Sequence, residues 1–383
     1  MKLEQWEKEP LWLKLLTPYL KKKRLPELKG EPATGQWVRI PLEGCKAANG
    51  EKTYADFKLG SENKLLIFFM GGGVSWNEYT AARPASLYSR DRKEGFYTIH
   101  MDLFSDLRLN SGIFAERQDN PFHNWSKLIF IYDTGDFHVG TNDYPYTAQD
   151  GSRRILHHHG YTNYRKGMEI VKGFVSDPDS IAVTGCSGGA FGAAMLSDDV
   201  MEIYPECKDV ISIIDSGFFP LKGWHDITEN VWKAPQKITE RIHTDNITLD
   251  ALQALHEERK GRVKILLTCS IRDEGLSRMI NYIENGDFSF TPDSGIRFRS
   301  WYTDVIREIR ESIPEANYYL FDYEEKSQKK NGLTKHCILQ DPIFYEYETE
   351  GISCAKWIEK AMNGKRENYG LKLLEERDEQ NNE

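Results

Sequence analysis

The chain has 383 residues, 39% of them hydrophobic and 28% charged, with a formal net charge of −9. That length can bury a large core, as one big α/β domain or two ordinary ones. The acidic balance argues against a nucleic-acid partner, since the only basic run, Lys21-Lys22-Lys23-Arg24, is too short to be more than a solvated surface. No apolar run reaches the ~18 residues of a membrane span, and charges stand at the N-terminus where a signal peptide carries an apolar core. The six cysteines are widely spaced, without a Cys-x-x-Cys pair. They read as free thiols of a cytoplasmic protein, not as a disulfide framework.

Residues 1–60 read as an arm and an entry hairpin. Trp6, Leu11, Trp12, Leu15 and Leu16 recur at helical spacing until Pro26. Residues 36–59 alternate weakly around a turn at Ala48-Asn49-Gly50. Residues 61–365 then alternate buried apolar runs with helical segments, as expected of a single doubly wound α/β domain with a mostly parallel sheet. Its strands are expected at Lys64–Met70, Lys127–Tyr132, Ile181–Val183, Val210–Ile214, Val263–Cys269 and Asn317–Phe321. Helices are expected over Tyr164–Val175 and 301–311. Residues 220–260 are polar and helical, and read as an excursion over the active face, a possible lid. The charged tail, 366–383, is expected to fray.

The first strand runs into Gly71-Gly72-Gly73-Val74-Ser75-Trp76. Glycines after a central strand let backbone N–H groups approach a ligand, which suits one half of an oxyanion hole. The loops around Lys127–Tyr132 carry Asn124, Asp136 and His138, and a loop after a parallel strand lines the active face. The run His157-His158-His159 invites a metal, but consecutive residues point in different directions, so no metal site is expected.

Gly185-Cys186-Ser187-Gly188-Gly189 follows a strand and opens a run of Ala, Phe, Met and Leu. This is the strand–turn–helix context of a G-x-S-x-G elbow, which presents a nucleophilic serine. The serine needs a histidine base and an orienting acid. Of the histidines beyond it, His225, His243 and His256 lie in the polar excursion; His336 alone lies in a loop after the last strand. The acid has three candidates: Asp273 after Val263–Cys269, Asp215 after the strand following the elbow, and Asp322 at the end of the last strand. Counting the strand before Gly71 as third of eight makes Val263–Cys269 seventh, which favours Asp273. The N–H of Gly188 and that of Gly72 or Gly73 complete an oxyanion hole. The chemistry expected is acyl transfer by Ser187, His336 and Asp273, without a cofactor.

These blocks together resemble the pectin acetylesterase family, which also includes the carboxylesterase Notum. The resemblance rests on Gly71-Gly72-Gly73 with Trp76 and on Asn120-Pro-Phe-His-Asn-Trp125. It continues through Tyr132-Asp-Thr-Gly-Asp136, the elbow, Asp215-Ser-Gly217 and His336-Cys337. It implies an α/β-hydrolase-like fold and carboxylic ester hydrolysis, typically deacetylation of pectin. The family's triad falls on Ser187, Asp273 and His336. Gly188 stands where the family has Ala, and the cysteine of its G-G-G-W-C block is missing here. With no visible signal, a small acetylated saccharide or other short ester is the expected substrate, more than polymeric pectin. Trp76, Asn124 and Asp215 are the candidate substrate contacts. A general short-chain carboxylesterase, a peptidase and a non-catalytic hydrolase-like binding protein are the competing readings.

Overall fold

Eight strands form one twisted sheet: β1 (Trp37–Pro41), β2 (Tyr54–Lys58), β3 (Lys64–Phe69), β4 (Ser126–Phe130), β5 (Ser180–Cys186), β6 (Asp209–Asp215), β7 (Val263–Ser270) and β8 (Asn317–Phe321). Their spatial order is β1-β2-β4-β3-β5-β6-β7-β8. β1 and β2 pair antiparallel with each other, and β2 pairs antiparallel with β4. From β4 to β8 every pairing is parallel. The computed structural model describes residues 25–85, 95–99, 108–325, 328 and 331–375; the helix expected over the first two dozen residues lies outside them.

The central strands carry side chains into helices on both faces, so they read as continuous apolar runs and not as alternations. Every residue of β5 is buried. Two hydroxyls inside bond across the layers: Thr184 Oγ1 donates to Ile213 O (2.8 Å), and Ser197 Oγ to Ser212 Oγ (2.9 Å). Helices α1 (Gly160–Lys172), α2 (Gly188–Ile203), α3 (Ile247–Arg259), α4 (Glu274–Asn285), α5 (Ser294–Ser312) and α6 (Cys354–Met362) connect and cover the sheet. Among the described residues, no helix is long and apolar enough to cross a membrane.

Two segments expected to be loosely held are packed in their described parts. Residues 220–260 are packed down, because Trp224 and Trp232 are buried at 0% exposure and Trp232 Nε1 donates to Ser75 O (2.7 Å). α3 lies along α2, bridging β6 to β7. The carboxylates of Asp198 and Asp199 near the end of α2 are buried, and Arg241 and Arg259 answer the first while Arg165 and Lys237 answer the second. A buried carboxylate is tolerable only with such partners, so the charges of this segment fasten it. The described part of the tail does not fray either. Tyr369 N donates to Tyr318 O (2.9 Å) and Leu320 N donates to Tyr369 O (2.9 Å), which adds the tail to the free edge of β8.

An unforeseen hairpin, Asn142–Thr147 with Arg153–His158, stands beside the sheet. His157 N donates to Ala48 O (2.9 Å), so the hairpin is fixed on the turn between β1 and β2.

Candidate active site

Ser187 sits between the end of β5 and the start of α2 with φ 54° and ψ −129°. A serine in left-handed backbone is strained, and such strain persists only where the surroundings enforce it. Here Ser187 N donates to Asp215 O at the end of β6 (2.9 Å). The loop after β3 closes the other side. A Cβ on Gly71 would lie 2.2 Å from Cys186 O and 2.7 Å from Ser187 Cβ, so only glycine permits this approach.

The loop then brings its own backbone to the start of α2. A Cβ on Gly188 would lie 2.9 Å from Gly73 O and 3.4 Å from Gly72 N. Both carbonyls are already engaged: Gly72 O accepts from Thr98 N (2.7 Å) and Gly73 O from Tyr132 OH (2.7 Å). Among the described residues, the N–H groups of Gly72 and Gly188 meet no acceptor. Two donors and the positive end of α2 thus converge beside Ser187.

His336 lies across the strand ends. Its Nδ1 faces Asp273 Oδ1 at 2.7 Å and Oδ2 at 2.9 Å. Asp273 is fully buried, whereas 27% of the His336 side chain reaches solvent. Asp273 also caps α4, accepting from Leu276 N (2.8 Å). Burial works against a charged imidazole, but the charge and hydrogen bond of Asp273 outweigh it and raise the His336 pKa to about 9. Gly275 makes room for the ring: a Cβ there would lie 2.6 Å from His336 Cγ. Thr334 ties the histidine loop to the acid, with Thr334 N on Arg272 O (2.9 Å) and Glu274 N on Thr334 O (3.0 Å). The three candidate acids are thus told apart by contact. Asp322 pairs with Arg272 through both oxygens (3.0 and 2.9 Å), away from His336.

Asp215 has another task. It is fully buried, and its Oδ2 accepts from both Ile338 N and Leu339 N (2.9 Å each), the two residues just beyond His336-Cys337. Burial raises its pKa to about 6, against those two hydrogen bonds. The expectation that Asp215 contacts substrate is therefore corrected: it is buried and holds the loop that carries His336. Asp215→Ala is expected to leave two buried N–H groups unpaired, at about 1–3 kcal/mol each. Turnover should fall by roughly 100-fold through misplacement of the imidazole. Asp215→Asn keeps an acceptor and should fall between. Denaturant melts and kcat on one ester check both.

The sequence profile of the family described as Pectinacetylesterase matches residues 54–252, just over half of the chain. The chain belongs to the pectinacetylesterase family. No curated protein matches it. Membership carries carboxylic ester hydrolysis of the acetylesterase kind at the level of the family. The match takes in the glycine loop and the elbow and stops before Asp273 and His336, so those two rest on geometry.

The remaining sequence candidates separate by position. Asn124 is corrected: it is exposed, precedes β4, and donates to Glu62 Oε1 (3.2 Å). Ser126 lies level with Leu65 and through it with Ile181, near the beginning of β5. Asn124 is therefore at the opposite sheet edge from Ser187. Trp76 is on the correct side, edge-on to Phe96 (5.2 Å) and Tyr282 (6.2 Å), with 9% of its surface exposed. Trp125 and Trp224 are core residues.

Asp136 and His138 lie behind the glycine loop. The buried carboxylate of Asp136 accepts from Thr134 Oγ1, His138 N, Gly140 N and Gly160 N. Burial lowers the His138 pKa to about 4. The neutral ring donates from Nε2 to Met70 O (2.8 Å), bracing the loop one residue before Gly71. Gly275, Thr334 and the bracing role of Tyr132 were not legible in the sequence, since each acts through a chain-distant partner.

Proposed function

We propose that this chain is a serine carboxylic ester hydrolase that removes acetyl groups from acetylated saccharides. The observation that carries this reading is the Asp273–His336 pair, set across the strand ends from a strained Ser187 flanked by two unengaged N–H groups. With Nδ1 on Asp273, His336 Nε2 is the nitrogen left to take the Ser187 proton. Oγ then bonds to the ester carbonyl carbon, and the charge moves to the carbonyl oxygen, where the Gly72 and Gly188 N–H groups receive it. Each such donor contributes about 3 kcal/mol to lowering the barrier. Collapse breaks the bond to the alcohol, which leaves with the proton from His336. Water, deprotonated by the same nitrogen, attacks the acetyl-serine; the bond from the acyl carbon to Oγ breaks, His336 returns the proton to Ser187 Oγ, and acetate leaves. No step asks for a cofactor. Six free cysteines, Cys186 and Cys337 among them, support a reducing compartment.

The test is acetate release from p-nitrophenyl acetate and from acetylated pectic oligosaccharides. Preference for the oligosaccharides, by kcat/KM, is the expected result. Activity on p-nitrophenyl acetate alone would make the chain a general short-chain esterase. Inactivity on both would remove the ester hydrolase reading. Release of long-chain or aromatic acids, with no acetate, would remove the acetyl assignment.

A further inference from the structure

The run His157-His158-His159 lies at the end of the side hairpin and the start of α1. Consecutive residues do point apart, but the strand ends at His158, and His159, the residue before α1, comes back to Asp143 on the side of His157. His158 faces inward: it is fully buried, with Nδ1 on Thr134 O (3.0 Å). His157 and His159 face outward together, and Asp143, which pairs with His157 across the hairpin, lies between them. His157 Nδ1 stands 2.5 Å from Asp143 Oδ1, and His159 Nε2 stands 2.8 Å from the same oxygen. All three atoms lie within 4.8 Å of one another.

We propose that Asp143, His157 and His159 form a binding site for a zinc-type divalent transition ion. Two imidazole nitrogens and a carboxylate oxygen are a ligand set that suits Zn2+, with water in the fourth position. Tetrahedral ligands at Zn2+ bond lengths stand about 3.3 Å apart. Here the two histidine–aspartate contacts are shorter than that because hydrogen bonds now span them. Small side-chain rotations open those contacts around an ion. The nitrogen that must bind is already selected in His157. Its Nε2 lies against the turn between β1 and β2, where a Cβ on Gly50 would be 3.1 Å away, so Nδ1 is the one that faces Asp143. The backbone is also set, by the ladder of the hairpin and by His157 N on Ala48 O. The ion would tie three points together: the first hairpin strand, the second, and the residue before α1. It is separate from Ser187 and its partners and takes no part in ester cleavage, so the site does not depend on the proposed reaction.

The experiment uses the untagged full-length chain, stripped with chelator and titrated with Zn2+ against a chromophoric competitor. One ion per chain is expected, with a higher melting temperature. Affinity should fall about tenfold or more in His157→Gln and again in His159→Gln, and the melting shift should vanish with it. No uptake by the wild-type chain, or equal uptake by the double variant, would overturn the proposal. Loading the wild-type chain with Co2+ needs no variant and covers the case in which a histidine variant fails to fold. Visible d–d bands of a four- or five-coordinate nitrogen–oxygen site are expected. A thiolate-to-metal charge-transfer band would assign the ion to the cysteines and refute the site, as would the absence of any Co2+ spectrum.

Discussion

Ser187→Ala is expected to lower kcat on p-nitrophenyl acetate by about 10⁴- to 10⁶-fold and to leave the melting temperature within a few degrees of wild type. The two halves have separate causes. Alanine keeps the Cβ and so keeps both the strained φ of 54° and the contact with Gly71. The Ser187 side chain makes no capping bond to α2, so no internal hydrogen bond is lost there. What disappears is the oxygen that would bond to the carbonyl carbon. The N–H groups of Gly72 and Gly188 remain, and such donors alone leave roughly 10³- to 10⁴-fold catalysis over water. A burst-phase measurement should show no acyl-enzyme in the variant. Wild-type turnover by Ser187→Ala would remove Ser187 from the reaction altogether. A variant that loses activity by unfolding would show it in the melt and is thereby told apart.

Legibility in the sequence followed the physics of each element. Strands buried on both faces announce themselves as unbroken apolar runs, and the expected strands at Lys64, Val263 and Asn317 begin where the observed ones do. The hairpin at 142–158 was missed because its first strand, Asn-Asp-Tyr-Pro-Tyr-Thr, is half exposed and contains Pro145. A side hairpin of that kind has little apolar signal to read. α4 was missed because its cap is Asp273 itself, which was read as an acid and not as a helix start. Site residues divided along another line. Ser187 and His336 could be read from their positions relative to strands. Asn124 could not: closeness to a strand in sequence says nothing about which sheet edge a residue occupies, and a residue before a parallel strand is at the far edge from one after it. Asp215 and Asp273 both follow strands, and only their hydrogen-bond partners separate the one that holds a loop from the one that holds a ring. His157 and His159 required knowing that the strand ends at His158 and that His159, the residue before α1, comes back to the face of His157.

Asp273→Asn should lower kcat by about 10⁴-fold and also move the acid limb of the pH profile, and the second effect is the more specific. His336 must be neutral to take the Ser187 proton. In the wild-type chain Asp273 raises the His336 pKa from 6.5 to about 9, so kcat/KM should climb with pH and its midpoint should lie above 6.5, towards 9. Asparagine removes the charge while burial still opposes the imidazolium, so the midpoint of the residual activity should fall below 6.5. The amide also faces Nδ1 with an N–H group or forces a flip, which favours the tautomer whose Nε2 already carries a proton. Stability should follow the same sign. A histidine whose folded pKa is raised contributes stability that is fully present below pH 6.5 and lost as pH rises through about 9, on the order of 3 kcal/mol. Wild-type unfolding free energy should therefore fall across that window relative to Asp273→Asn. Asp322→Asn breaks the pair with Arg272 and should leave the limb in place. If Asp322→Asn moves the limb and Asp273→Asn does not, the acid is Asp322, and the Asp273–His336 contact is structural only.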